Sequence, residues 1–218
     1  MKTYGELCAV ARALDIVGDR WNLLIVRELL IGGRARFTDL QRGLPGVAPN
    51  LLAQRLRDLE GHDVVRREAA TAPAAGTLYA LTERGAQLEG VVRELLRWGA
   101  PTVVDAPRDA IFQMHWLSLP ARYLARDGDP KAPDTTIRFG TLADGFDLTA
   151  SGGAIDVQPC RSEVSPDATV SGSGPVLVGL LQGALELPQA TTLGVTVQGD
   201  QGAVLRILPK GVAMRDPQ

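Results

Sequence analysis

The sequence predicts an α+β protein with two domains of different character, and three observations lead to this expectation. Apolar residues recur at three- and four-residue steps through the first half and at two-residue steps through much of the second. The chain has 218 residues, 45% hydrophobic and 22% charged, which is typical of a folded globular protein. Its net charge of −2 divides unevenly, with +2 in residues 1–98 and −4 in residues 99–218. We therefore expect an N-terminal domain over 1–99, a linker and apolar helical segment over 100–134, and a C-terminal domain over 135–218.

Four helices are predicted in the first sixty residues. Amphipathic stripes run from Leu7 to Val17 and from Trp21 to Leu29. A short third helix, Thr38 to Arg42, precedes the turn Gly43 to Gly46, and Pro49 opens a fourth helix that continues to Glu60. The third and fourth helices therefore form a helix-turn-helix.

A β-hairpin and a final helix follow. The runs 64–68 and 77–81 have strand character, and the tip between them, residues 69–76, contains no basic residue. Thr82 then caps a helix whose apolar stripe continues to Gly99. A helix-turn-helix followed by a hairpin is the pattern of a winged helix, in which the second helix of the pair enters the major groove of DNA and the wing lies along the backbone or minor groove.

The C-terminal half predicts an antiparallel sheet packed with helices. Alternating apolar and polar residues indicate strands with one buried face. The predicted elements are, in order, a helical stretch 110–125 interrupted or kinked at Pro120, strands at 137–139, 146–150 and 155–157 with a hairpin turn at 151–153, a strand at 168–171, a helix at 176–185 and a strand at 194–198.

The positive charge is concentrated around the helix-turn-helix, since residues 20–57 contain seven arginines and two acidic residues. Asn and Gln can bind adenine, Arg can bind guanine or phosphate, and small apolar side chains can contact the thymine methyl group. The alternative is that these arginines form an ordinary solvated face. The candidate DNA-binding residues are Arg34, Arg36, Thr38, Pro49, Asn50, Leu51, Ala53, Gln54, Arg55, Arg57, Arg66 and Arg67.

Five segments in order, namely 8–21, 24–29, 36–40, 52–60 and 79–85, resemble the HxlR family of winged-helix regulators, and the resemblance covers residues 5–98. It implies a homodimer that binds a pseudo-palindromic operator in double-stranded DNA. The polar residue that usually caps the recognition helix in the family is Ala48 here, and Asn50, Leu51 and Ala53 stand at positions that are often Lys, Thr or Ser, so the operator sequence does not carry over. The resemblance places the dimer contact on the terminal helices, at Leu7, Val10, Leu14, Leu88, Val92, Leu95 and Trp98; the alternative is that these residues form an intradomain core.

Two cysteines, Cys8 and Cys160, lie far apart and have no ligand spacing, so neither a disulfide nor a metal site is expected. Cys8 stands where the family often has a cysteine, and some members use it as a redox sensor. Here it falls on or beside an apolar stripe, which favours an inert packing thiol as the alternative.

Residues 135–210 resemble the sterol-carrier-protein-2 (SCP2) type domain, on the segments 167–174, 177–185 and 194–200. The resemblance implies an apolar tunnel that binds lipids or other hydrophobic molecules. The candidate effector-binding residues are Phe112, Met114, His115, Trp116, Phe139, Phe146, Leu177 and Leu180; the alternative is that they fill an ordinary core.

The sequence therefore predicts a cytoplasmic, dimeric transcriptional regulator whose SCP2-like domain senses a small hydrophobic effector. No catalytic residues, cofactor, metal or membrane contact are expected, because the chain has two histidines, no nucleophile or nucleotide motif and no long apolar stretch. Three alternatives stay open. The C-terminal domain of a constitutive repressor could be a ligand-free interaction or dimerisation module, Cys8 could make the regulator redox-sensing, or the protein could be a DNA-independent lipid carrier.

Overall fold

The computed structural model describes residues 3–69, 76–103, 107 and 109–209. The chain separates into two compact units, Met1–Leu95 and Leu96–Gln218. Residues 70–75 of the predicted hairpin tip and 104–106 of the predicted linker lie outside the described residues.

The helices of the N-terminal unit lie where the apolar periodicity predicts them. Leu29, Leu40, Leu52 and Leu56 are completely buried and form its core. The elements up to the end of the fourth helix are, in order, α1 (Ala9–Val17), α2 (Asn22–Gly32), β1 (Arg34–Arg36), α3 (Phe37–Gly43) and α4 (Pro49–Gly61).

The predicted hairpin is confirmed as β2 (Val65–Ala69) and β3 (Thr77–Leu81), which pair antiparallel. The short β1 pairs with the other edge of β3, which gives a three-stranded sheet in the order β1-β3-β2. A strand of three residues is too short to show an alternating pattern, so the sequence did not indicate it.

The single helix predicted after Thr82 is divided into α5 (Glu83–Ala86) and α6 (Glu89–Gly99). Thr82 accepts a hydrogen bond from the Gly85 amide at 2.9 Å, and its hydroxyl donates to the Asp63 carbonyl at 2.5 Å. The Cα of Gly85 also lies against the Val64 carbonyl. These contacts hold α5 against the start of the wing, and the chain turns before α6 begins.

The C-terminal unit contains a five-stranded sheet in the order β6-β5-β4-β7-β8. After a 3₁₀ turn at Ala100–Val103 and another at Met114–Leu117, its elements are α7 (Ser118–Leu124), β4 (Thr135–Phe139), β5 (Phe146–Ser151), β6 (Ala154–Pro159), β7 (Ala168–Ser171), α8 (Gly174–Leu181), α9 (Leu187–Thr192), β8 (Thr196–Gly199) and α10 (Gln201–Ile207).

The expectation of a wholly antiparallel sheet is wrong at one pair, because β4 and β7 run parallel, with Ile137 opposite Ala168. The segment 160–167 returns from the end of β6 to the start of β7, beside β4, which makes this pairing parallel. Arg138 on β4 donates hydrogen bonds to the carbonyls of Arg161 and Val164 in that segment. The connection therefore contacts a side chain of β4, which is the middle strand of the sheet and is buried along most of its length.

The helical stretch predicted over 110–125 is wrong in its first part, since 110–113 are not helical. The Phe112 ring lies against the Cα of Gly174, and the backbone of Gln113 is extended where the following 3₁₀ turn begins. Pro120 falls in the first turn of α7, where a missing N–H costs no helical hydrogen bond, so it does not interrupt the helix. Helices α9 and α10 were not predicted, although the cap residues Glu186 and Asp200 mark where each begins.

Candidate nucleic-acid interface

Helix α4 is held against the N-terminal unit by one face and presents the other to solvent. Leu52, Leu56 and Leu59 are buried at three- and four-residue spacing. Gln54 and Arg57, together with Asn50 at the start of the helix, are exposed. Ala48 at the N-cap makes no side-chain hydrogen bond, so the backbone N–H groups of the first turn are not capped by it.

The exposed face of α4 carries a chain of side-chain hydrogen bonds. Arg57 Nη2 donates to Gln54 Oε1 at 2.7 Å, and Gln54 Nε2 donates to Asp58 Oδ1 at 2.8 Å. The other carboxylate oxygen of Asp58 accepts from Arg55 Nη1 at 3.2 Å. Asp58 therefore contacts both Gln54 and Arg55 and lies at the centre of the chain.

Arg55 differs from the other candidate DNA contacts because it turns toward the protein. Its guanidinium pairs with Asp19, in the turn between α1 and α2, as well as with Asp58, and its side chain is only 20% exposed. The carboxylates neutralise its charge and fix its position. Arg55 therefore joins α4 to the turn before α2, and its contact with DNA stays a prediction.

The arginines of the wing are exposed but paired with acidic side chains. Glu68 accepts from Arg34 at 3.0 Å and from Arg66 at 2.8 Å, and Arg67 pairs with Glu60 at 3.0 Å. Ion pairs this exposed contribute little stability and are screened by salt. A phosphate can therefore replace the carboxylate partner at low cost.

The remaining candidates lie near the same surface. Arg36 is half-buried and its guanidinium lies beside Gly76, at the far end of the wing. Thr38 and Pro49 are exposed, and Leu51 and Ala53 are half-buried on α4.

A buried carboxylate behind the interface was not indicated by the sequence pattern. Glu28 on α2 is 8% exposed and accepts from Arg27 Nε at 3.0 Å and Nη2 at 2.7 Å. The carboxylate lies against the Cα of Gly43, the last residue of α3. The one indication in the sequence was a charged residue, Glu28, within the apolar stripe of α2. Its burial depends on how α3 packs against α2, which the sequence pattern does not show.

The candidate dimer residues are mostly exposed apolar side chains. Leu7, Val10 and Leu14 are exposed at or near α1, and Leu95 and Trp98 are exposed on α6, Trp98 by 82%. Val92 is buried instead, at 8%, and Leu88 is half-buried. The stripe on α6 therefore has a part that packs within the unit and a part that is open.

The two cysteines have opposite environments. Cys8 is exposed, at the N-cap of α1, and not buried beside an apolar stripe as expected. Backbone N–H groups of Ala11 and, to a lesser extent, Val10 lower the pKa of its thiol. Cys160 is half-buried, and burial raises the pKa of its thiol to about 11, aided by the nearby Asp147 carboxylate.

The candidate effector residues divide into a buried and a partly exposed group. Met114, Phe139, Phe146, Leu177 and Leu180 belong to the core of the C-terminal unit, and the two phenylalanine rings stack with centroids 5.1 Å apart. Phe112 is exposed, and His115 and Trp116 are half-buried. A pocket of about 430 Å³ lies elsewhere on this unit, lined by Gly183, Leu185, Glu186, Leu187, Pro188, Leu205, Leu208 and Pro209.

The described part of the chain contains neither a membrane-spanning helix nor a cluster of metal-ligating side chains. No helix there is long and apolar enough to cross a membrane. No group of three or more His, Cys, Asp or Glu side chains within these residues could hold a metal ion.

The pair α3 and α4, the β2–β3 hairpin that follows it, and the polar face that α4 presents to solvent are the features of winged helix-turn-helix proteins. The model of the HxlR-like helix-turn-helix family matches residues 16–105. The chain belongs to the HxlR-like helix-turn-helix family.

Two curated relatives support this membership. The HTH-type transcriptional regulator YodB of Bacillus subtilis is 34% identical over 39% of this chain and 76% of its own. The uncharacterised HTH-type regulator YvaP of the same organism is 34% identical over 43% and 86%. A solved structure of the redox regulator HypR in its reduced form is 30% identical over 44% of this chain and 94% of its own, with a TM-score of 0.39. YodB and YvaP are both named as HTH-type transcriptional regulators, and each of the three matches spans less than half of this chain.

Proposed function

We propose that the protein is a dimeric transcriptional regulator that binds a pseudo-palindromic operator in double-stranded DNA through α4. The observation that carries this proposal is the open polar face of α4, where Asn50, Gln54 and Arg57 project from a helix anchored by three buried leucines. These side chains have the hydrogen-bonding groups that read base edges in the major groove. Arg34, Arg36, Arg66 and Arg67 are placed on or beside the wing to hold phosphates.

The exposed apolar residues of α1 and α6 support a homodimer. Large apolar side chains such as Leu7 and Trp98 are costly to leave in water, and a second copy of the chain covers them. A two-fold dimer presents two copies of α4 to half-sites about one helical turn of DNA apart.

A salt titration tests DNA binding. Binding of the full chain to short genomic duplexes should weaken steeply as salt rises, because each phosphate contact releases a counterion. Arg57→Ala should reduce affinity, whereas the matched change Arg161→Ala, at an exposed arginine of the C-terminal unit, should leave it unchanged. Affinity that does not depend on salt would instead favour the DNA-independent lipid carrier.

The C-terminal unit, in this proposal, is an SCP2-like domain that senses a small hydrophobic effector. The mixed sheet covered by helices and the apolar pocket lined by leucines and prolines support a binding role. The effector changes operator affinity only by the difference between its affinities for the DNA-binding and non-binding dimers. Native mass spectrometry of the purified full chain should detect a co-purified apolar molecule.

A second candidate is that the C-terminal unit is a ligand-free interaction or dimerisation module on a constitutive repressor. The observation in its favour is that five of the eight predicted effector residues pack in the core, where Phe139 and Phe146 stack on each other. A protein without co-purified ligand, whose operator affinity is unchanged by cell extract, would support this candidate.

A third candidate is redox regulation through Cys8. Its exposure and the lowered pKa of its thiol are the features of a reactive cysteine. If Cys8 is the sensor, mild oxidant releases the wild-type protein from DNA and leaves Cys8→Ser bound. Equal release of the two proteins excludes this role.

A further inference from the structure

The hydrogen bonds on α4 determine the orientation of the Gln54 amide. Its oxygen accepts from the Arg57 guanidinium at 2.7 Å, and its nitrogen donates to the Asp58 carboxylate at 2.8 Å. Arg57 can only donate and an ionised Asp58 can only accept. Rotating the amide by half a turn would place oxygen against carboxylate and N–H against guanidinium, so one orientation is strongly favoured.

Hydrogen-bonding capacity is left over after these two contacts. The Gln54 nitrogen has a second N–H, and the oxygen has a second lone pair. Gln54 is exposed on the polar face of α4, so both groups are accessible to a partner. The N7 atom of adenine accepts a hydrogen bond and its N6 amino group donates one, which matches this pair of groups.

We propose that Asp58 is a positioning residue for base recognition: it holds the Gln54 amide in the orientation that binds adenine, so that α4 selects an A·T pair in each half-site. This inference rests on the proposed function, in which α4 binds the major groove. Asp58 acts through Gln54 and need not contact DNA itself.

The position of Asp58 is itself fixed from the protein side. Its second oxygen accepts from Arg55, whose guanidinium also pairs with Asp19 in the turn before α2. Each carboxylate oxygen of Asp58 therefore has a partner: Arg55 on the side of the domain, and Gln54 on the open face of α4. Asp19→Asn is a suitable control, since it removes one charge on the domain side, keeps an oxygen that can accept from Arg55, and leaves both partners of Gln54 in place.

The test compares base preference among full-length variants. Randomised duplexes are selected on the wild-type protein and sequenced, and the selected duplex then competes with versions in which one A·T pair is changed to G·C. A bidentate contact should make one such change weaken wild-type binding by about 5- to 150-fold. Gln54→Ala should abolish that preference. Asp58→Asn should reduce it in part, because an asparagine can both donate and accept and so favours neither orientation of the Gln54 amide, while the Arg57 contact remains. Asp58→Glu and Asp19→Asn should retain it.

The outcomes separate the inference from the function on which it rests. Failure of the wild-type protein to retain any duplex at low salt would overturn DNA binding by α4. If Asp58→Asn binds duplexes with the same A·T preference as the wild-type protein, only the positioning role of Asp58 is overturned.

A measurement on the wild-type protein covers the case in which Asp58→Asn does not fold. The side-chain amide protons of Gln54 should exchange with solvent more slowly than those of an exposed glutamine that lacks such a partner, because one of them donates to Asp58. Exchange as fast as in an unstructured peptide would contradict the proposal.

Discussion

At the residue scale, the buried Glu28 carboxylate leaves no room for a side chain on Gly43. A Cβ at that position would overlap with Glu28 Oε2, and a buried paired carboxylate cannot move without losing its hydrogen bonds. Gly43→Ala should therefore lower the free energy of unfolding by about 1–3 kcal/mol, as measured by urea denaturation.

The matched control for Gly43→Ala is Gly90→Ala, in α6, where an added Cβ meets no atom within 4 Å. Alanine is the better helix former, so this change should be neutral or stabilise by up to about 1 kcal/mol. Equal effects of the two substitutions would show that the Glu28 contact does not limit position 43.

The two cysteines should differ in reactivity. Near neutral pH more of the Cys8 thiol is ionised, because its pKa is lowered, while the raised pKa of Cys160 keeps that thiol protonated. Alkylation by iodoacetamide should show a fast phase that Cys8→Ser removes and Cys160→Ser leaves in place. Persistence of the fast phase in Cys8→Ser would contradict this assignment.

At the scale of elements, the buried pair Arg138–Asp147 joins β4, β5 and the connection that makes the sheet mixed. Arg138 Nε and Nη2 donate to the two Asp147 oxygens at 2.7 and 2.8 Å, and both side chains are buried. Arg138→Ala leaves a buried carboxylate and two carbonyls without their donor, so the free energy of unfolding should fall by about 3–5 kcal/mol.

The control for Arg138→Ala is Arg93→Ala, which removes an exposed ion pair with Glu94 on α6. Its effect on urea denaturation should stay within about 1 kcal/mol. A small effect at position 138 would mean that the connection is held by its backbone contacts alone.

A second ion pair in the C-terminal unit, between Arg206 and Asp127, should make the stability of that unit depend on pH. Hydrogen bonds from Arg206, then from the Gly153 and Asp129 amides, hold the pKa of Asp127 well below its usual range. The stabilisation is complete above the unfolded-state pKa of about 3.9 and is lost as the pH falls below it toward the folded-state pKa. Thermal midpoints of wild type should therefore fall on acidification in this window, and those of Asp127→Asn should start lower and fall less. Identical pH profiles would exclude the Asp127 contribution.

At the scale of the whole molecule, a dimer through the terminal helices predicts that one charge on α6 disrupts the assembly. Leu95→Glu adds a charge to an exposed apolar position of α6 and should convert the dimer to monomer in sedimentation velocity, with weaker operator binding. Leu142→Glu, at an exposed leucine of the C-terminal unit, is the matched control and should remain dimeric. A dimer that survives Leu95→Glu would place the interface elsewhere.

Much of the candidate interface could be predicted from local pattern. The apolar spacing of Leu52, Leu56 and Leu59 determines which face of α4 is buried, so Asn50, Gln54 and Arg57 had to be exposed. The inward turn of Arg55 could not be predicted, because its partner Asp19 is 36 residues away and meets it only when α1 and α4 pack. The contacts of Asp58 are of another kind, because Gln54 and Arg55 lie only four and three residues before it on the same helix, and this spacing is one at which helical side chains meet.

By itself the sequence determined the helix-turn-helix, the wing strands, the family and the change of period that marks a second unit, because these depend on residues close together along the chain. Only the tertiary structure decided the parallel pairing of β4 and β7, the absence of helix at 110–113, the burial of Glu28 and the exposure of Cys8. Each of these depends on contacts between segments distant in sequence, and neither hydrophobic periodicity nor residue propensity records which distant segments meet.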